Sequence, residues 1–154
     1  VRVVVAAVGR PRDRNLAAAI EEYETRAARY WPLVVAEVRE ASARSTSPGE
    51  TRRREGERLL ERIPAGALLV ACDERGEALT SPAFTSLLAG ARDAARDVAF
   101  VVGGAYGLDD AVLRAAGRSL QLAPWTLPHE LARLVLAEQL YRAGTIARGE
   151  PYHK

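Results

Sequence analysis

The sequence predicts an α/β fold, a mostly parallel sheet with helices on both faces. Three observations carry that reading. Short runs rich in β-branched residues alternate with segments whose apolar residues recur at helical spacing. The first run, Val3-Val4-Val5-Ala6-Ala7-Val8, is apolar throughout, as a strand covered on both faces requires. The runs ending at Gly9 and at Gly103-Gly104 finish in glycine, and the carboxyl ends of parallel strands are where such sheets meet their ligands.

After that first strand, Leu16, Ile20, Tyr23, Ala27 and Tyr30 share one face of a first helix, which Pro32 stops. Leu33 to Val38 reads as a second strand. Ala41 to Gly49, rich in Ser, Ala and Arg, reads as a flexible loop with Pro48-Gly49 as a turn. Glu50 to Arg62 is a charged helix with Leu59, Leu60 and Ile63 on its buried side, ended by Pro64-Ala65-Gly66. Ala67 to Cys72 is a third strand, and Asp73-Glu74-Arg75-Gly76 is its turn. Ser81 is placed to cap a helix that opens on Pro82 and continues through Phe84, Leu87, Leu88 and Ala91. Val98 to Val102 is a fourth strand, 109–116 a short helix and Ser119 to Leu122 a short fifth strand. The loop Pro124-Trp125-Thr126-Leu127-Pro128 is stiffened by two prolines. A last helix, His129 to Ala147, carries apolar residues on more than one face, so it is expected to be buried on two sides, one of them by a dimer partner. The whole, 1–154, reads as one domain without internal repeats.

Composition narrows the function classes. A formal net charge of +2 is only a mild bias toward anionic partners. Cys72 is the one cysteine, so no intramolecular disulfide forms, which fits a reducing compartment. No apolar run approaches the roughly 20 residues that span a bilayer. A cytoplasmic protein with no membrane partner is the expectation. With two histidines and one cysteine, no metal-type spacing arises.

Four segments are candidates for chemistry. Gly103-Gly104-Ala105-Tyr106-Gly107-Leu108 comes after a strand, but its spacing is neither that of a dinucleotide fingerprint nor of a P-loop. Alone it reads equally as a tight turn. The stretch Leu122-Ala123-Pro124-Trp125-Thr126-Leu127-Pro128 is a stiff loop whose remaining backbone groups suit an adenine, or a plain helix lead-in. On the last helix and tail, Arg133 and Arg142 are suited to hold phosphates, and His153 is a residue type that moves a proton near neutral pH. Arg52-Arg53-Arg54, interleaved with glutamates, reads as a solvated helix face rather than an RNA contact.

Taken together, Gly103-Gly104-x-x-Gly107-Leu108, Leu127-Pro128-His129, Glu138-x-x-Tyr141-Arg142 and Pro151-Tyr152-His153 resemble the ribosomal RNA large subunit methyltransferase H family over the whole chain. That family belongs to the SPOUT class. The resemblance implies a C-terminal trefoil knot, a homodimer whose site the partner's tail completes, and S-adenosyl-L-methionine as cofactor. It implies methyl transfer to N3 of a pseudouridine in large-subunit (23S) ribosomal RNA within the assembled ribosome. Carried over residue by residue, it places the cofactor at Cys72, Gly103, Gly104, Leu122, Ala123, Pro124, Trp125, Thr126 and Leu127. It places the RNA near His129, Arg133, Tyr141 and Arg142, and the catalytic group at His153, Tyr152 and Arg142. His153 is then the candidate proton acceptor, with Tyr152 positioning the ring. A valine at position 104 is expected to block the cofactor by bulk. Trp125 is bulkier than the resemblance leads one to expect, and Ala105-Tyr106 falls where the family varies. Two other readings stand beside this one: a non-catalytic dimeric α/β module that binds a nucleotide or RNA, and the same chemistry on another RNA such as a transfer RNA.

Overall fold

The computed structural model describes residues 1–41 and 47–154. Five strands form one parallel sheet in the order β2-β1-β4-β3-β5. They are β1 (Val3–Val8), β2 (Leu33–Val38), β3 (Leu68–Ala78), β4 (Val98–Val102) and β5 (Arg118–Gln121). The helices are α1 (Arg14–Ala27), α2 (Pro48–Leu60), α3 (Ser81–Asp93), α4 (Asp110–Ala115) and α5 (His129–Ala147).

Alternation along the central strands divides the core in two. Val3, Val5, Val70, Phe100 and Val102 face α1, α3 and α5, meeting Ala27, Phe84, Leu88, Leu136 and Leu140. Val4, Ala6, Ala71, Ala99 and Val101 face α2 and α4, meeting Leu59 and Val112. Both β1 and β4 are therefore buried at every residue, which is why they lack polar alternation.

Three expectations change at the element ends. Pro48-Gly49 does not turn the chain: Ser47 caps α2 by accepting from the Glu50 N–H at 3.2 Å, and Pro48 opens the helix. The middle of the expected Ala41–Gly49 loop, 42–46, lies outside the described residues. Likewise Thr80, not Ser81, caps α3, accepting from Ala83 N–H at 3.2 Å. Finally, Asp73–Gly76 is not a turn that ends β3 but an irregularity within it. Leu120 of β5 pairs with Cys72 before the irregularity and with Glu77 after it. The Asp73 carboxylate accepts from Arg75 N–H at 2.8 Å and fixes its shape.

Candidate functional site

The carboxyl ends of β3, β4 and β5 lie side by side, and the segments leaving them enclose one cleft of about 550 Å³. That size suits a small-molecule ligand of nucleoside dimensions. Cys72 and Asp73 come from β3, the 103–108 turn leaves β4, and Leu122 to Leu127 leave β5. The turn is tight because glycine stands at its close approaches, 103 and 104, and at its left-handed position, 107. Gly104 O accepts from Gly107 N–H at 3.0 Å, and Gly107 takes φ +80°. The β5–α5 loop is fastened from outside: the Thr126 hydroxyl donates to the Glu74 carboxylate, and Gln121 Nε2 donates to Glu74 O at 2.9 Å.

Of the expected cofactor residues, Cys72, Gly103, Gly104, Leu122, Ala123, Trp125, Thr126 and Leu127 line this cleft. Pro124 is exposed beside the lining residues and stiffens the loop that carries them. His129, expected near RNA, lines the cleft too. Burial pushes the Cys72 thiol up to about 12, so it is protonated and inert as a nucleophile. The lining also holds residues that sequence reasoning missed, Arg52, Asp73, Glu74, Arg75 and Asp110 among them. The irregularity in β3 brings in three of these, and no local pattern announces a parallel strand that resumes its pairing after four residues.

A second cluster lies on α5 and the tail. One oxygen of Glu138 accepts from Arg142 Nη2 at 2.7 Å, from Arg142 Nε at 3.0 Å and from Tyr152 Oη at 3.0 Å. Arg142 stacks over the Tyr152 ring at 4.7 Å, and Tyr152 packs on Tyr141 with ring centres 4.6 Å apart. Arg142 Nη1 lies 3.2 Å from His153 Nδ1. A guanidinium only donates, so Nδ1 is the accepting nitrogen in this arrangement. Burial, and then the bond to Glu138, push the Tyr152 hydroxyl up to about 12, which makes it a donor rather than a base.

Arg133 does not join either group. Its side chain is 8% exposed and its guanidinium donates to Glu24 at 3.0 Å twice and to Glu37 at 2.7 Å. The expected phosphate contact is corrected: these carboxylates already occupy the charge, and it ties α5 to α1 and β2.

Glu55 is a further find. It is 4% exposed, and one oxygen accepts from Ala41 N–H at 3.1 Å while the other has no hydrogen-bond partner among the described residues. Burial, the largest cause, raises its pKa; the Ala41 bond opposes. The unfolded chain then gives up this proton at lower pH than the folded chain. Stability falls as pH climbs above the ordinary carboxylate range. Glu55→Gln is expected to raise the Tm at neutral pH, with the gain closing as pH drops below that range. Thermal unfolding across pH checks this, and a gain that persists in acid contradicts it.

Comparison with known proteins fits this geometry. The family model described as predicted SPOUT methyltransferase matches residues 1–153. The chain belongs to the SPOUT methyltransferase family. Among its relatives in that family, the ribosomal RNA large subunit methyltransferase H of Gemmatimonas aurantiaca is 58% identical over 153 residues, covering 99% of each chain. The protein of the same name from Anaeromyxobacter sp. (strain Fw109-5) is 48% identical, again with 99% of each chain covered. In fold, the chain is similar to a solved putative methylase family protein from Neisseria gonorrhoeae, with TM-score 0.52 at 14% identity, over 92% of this chain and 81% of that one.

SPOUT methyltransferases use S-adenosylmethionine, and the cleft suits it. Cys72, Val102, Leu108, Leu122 and Leu127 offer apolar wall for an adenosine. The proline-stiffened loop offers backbone donors and acceptors. Asp73, Glu74, Asp110, Arg52 and Arg75 add charge of both signs to the lining. Among the described residues no metal-type cluster exists, and no helix is long and apolar enough to cross a membrane.

Proposed function

We propose that this chain is an S-adenosylmethionine-dependent methyltransferase that acts as a homodimer on N3 of a pseudouridine in large-subunit (23S) ribosomal RNA, within the assembled ribosome and hence in the cytoplasm. Full-length likeness to proteins named for large-subunit ribosomal RNA methylation supports the substrate class. The family, together with a chain that leaves β5 at the sheet edge and returns to pack α5 on α1 and α3, supports the trefoil knot.

One observation carries the dimer. His129 lines the cleft at one end of α5, and Arg142 anchors the tail cluster 13 positions further along the same helix. At about 1.5 Å per residue that separates them by about 20 Å. The cleft thus sits at the start of α5 and the tail cluster further along the same helix, which supports a reading in which the tail of a second copy completes the site. For that copy α5 has a surface. Leu131, Leu134 and Val135 are half-exposed and lie on the same stripe as Glu138 and Arg142.

Bound in the cleft, S-adenosylmethionine supplies an electrophilic methyl on a positive sulfonium. The chain's residues do the rest. The 103–108 turn and the 122–127 loop fix the line of attack, and alignment is most of what a displacement needs. Ring N3 of the base carries a proton that must leave. His153 takes it at Nδ1 once its ring leaves Arg142 Nη1, which is then open to a backbone phosphate. Tyr152, held protonated, orients the ring, and Glu138 holds Tyr152 and Arg142 in register. His153→Ala is expected to lower kcat by about 10²- to 10⁴-fold, the ordinary worth of a general base, with S-adenosylmethionine affinity unchanged. Unchanged turnover removes His153 from the reaction.

Calorimetric titration with S-adenosylmethionine, and then methyl transfer to ribosomes with and without the pseudouridine, tests the proposal. Saturable binding at every chain and pseudouridine-dependent transfer are expected. Binding without transfer to large-subunit RNA moves the target to another RNA, and no binding favours the non-catalytic module.

A further inference from the structure

Two large aromatic side chains stand out of the cleft. Trp125 is 79% exposed and Tyr106 is 45% exposed, yet both line it. They come from different loops, one after β5 and one after β4, that meet at this cleft. Both loops are fastened beside the ring they carry. Trp125 sits between Pro124 and Thr126, whose hydroxyl is bound to Glu74, and Tyr106 sits in the turn closed by the Gly104–Gly107 bond. The protein's other tryptophan shows the contrast: Trp31 is 3% exposed and its indole N–H donates to Leu140 O at 2.9 Å.

Charge at the opening selects the occupant. Arg52 lines the cleft without an ion pair among the described residues. The acids beside it are engaged: Asp73 holds Arg75 at 3.0 Å, Glu74 accepts from Thr126, and Asp110 faces the charge of Arg75. One available cation and two exposed π-faces lining the same cleft are the chemistry that meets unstacked nucleotides, which bring a flat ring and a phosphate together. The cofactor's own adenine is not the partner these rings suit, because the half-buried wall of Leu122, Ala123 and Leu127 is available to it.

We propose that Trp125 and Tyr106 form a stacking lip for RNA bases neighbouring the target nucleotide, with Arg52 holding the intervening phosphate. The lip rests on the RNA methyltransferase reading above and adds to it the surface that presents the base.

The test uses the full dimer, loaded with S-adenosylhomocysteine so that nothing reacts, and a dye-labelled single-stranded oligoribonucleotide read by anisotropy. Trp125→Leu and Tyr106→Leu are each expected to weaken binding about tenfold, the scale of one stacked base, while Trp125→Phe and Tyr106→Phe stay close to the parent. Arg52→Gln is expected to lower the salt slope of binding by about one. The exposed indole of Trp125 is expected to be quenched by the oligoribonucleotide and not by the same backbone carrying abasic sites, with buried Trp31 as the unresponsive background. Equal binding by the parent and the leucine variants overturns the lip, as does equal loss in the phenylalanine and leucine variants. Quenching by S-adenosylhomocysteine alone assigns Trp125 to the cofactor, and an indole silent to every ligand assigns it to the subunit interface; both overturn the lip. Failure of the parent to methylate large-subunit RNA defeats the underlying function instead, whereas a methylating parent with indifferent leucine variants defeats the lip alone.

Discussion

Gly103→Ala is expected to weaken S-adenosylmethionine binding by more than about a hundredfold, which is roughly 2.7 kcal/mol. A β-carbon at position 103 would stand 2.6 Å from the carbonyl carbon of Gly107, 2.7 Å from its oxygen and 3.0 Å from Leu108 N. These are backbone atoms, so no side chain can swing aside. The turn must open, and the backbone surface offered to the cofactor changes with it. Position 104 behaves differently from the steric block expected from sequence. Its missing β-carbon faces inward, 2.9 Å from Glu55 Oε1 and 3.1 Å from Val8 Cγ1. Gly104→Val therefore acts from behind, by pushing the turn outward from Glu55 and Val8, and does not fill the cofactor's space. Calorimetry on both variants checks this, and full affinity in Gly103→Ala contradicts it.

Arg133→Met is expected to cost about 3 kcal/mol of stability, because removing one partner of a buried ion cluster leaves the others uncompensated. Glu24, with its side chain 13% exposed, would lose its cation, and Glu37, 31% exposed, would keep, among the described residues, only the exposed Arg10 at 3.9 Å. For a domain of this size the loss corresponds to a fall in Tm of about 6 to 12 °C. RNA affinity of the folded variant and its salt dependence are expected to hold. A phosphate contact predicts the reverse, an unchanged Tm and a salt slope lower by about one. Thermal unfolding and a salt series on the same protein separate the two.

The contrast between these residues shows what a sequence discloses. The parallel sheet was legible because β1 and β4 are buried on both faces, and burial writes itself as an unbroken apolar run. The bounds of α5, His129–Ala147, were legible from Pro128 and from the end of the apolar pattern. The cleft's glycine turn and proline loop were visible as segments, but their meeting depends on β3 lying between β4 and β5, a strand order that local pattern does not encode. Arg133 was misread for a related reason. An arginine on a helix suits phosphate until the fold brings Glu24 and Glu37, about a hundred residues away in sequence, against it. Glu55 stands four residues before Leu59, on the buried stripe, but within a charged helix a carboxylate there reads as solvated until the fold covers it.

Mixed dimers test most directly whether the methyl-transfer site joins the cleft of one subunit to the tail of another. Gly103→Ala ruins the cleft and His153→Ala ruins the tail, so homodimers of either are expected to be nearly inactive on ribosomes. Co-expression at equal levels gives hybrid dimers in which one composite site has an intact cleft from one chain and an intact tail from the other. The mixture is expected to recover about a quarter of the wild-type rate, since about half the dimers are hybrids with one working site in two. A mixture as inactive as its parents would place cleft and tail in the same chain and contradict the shared site.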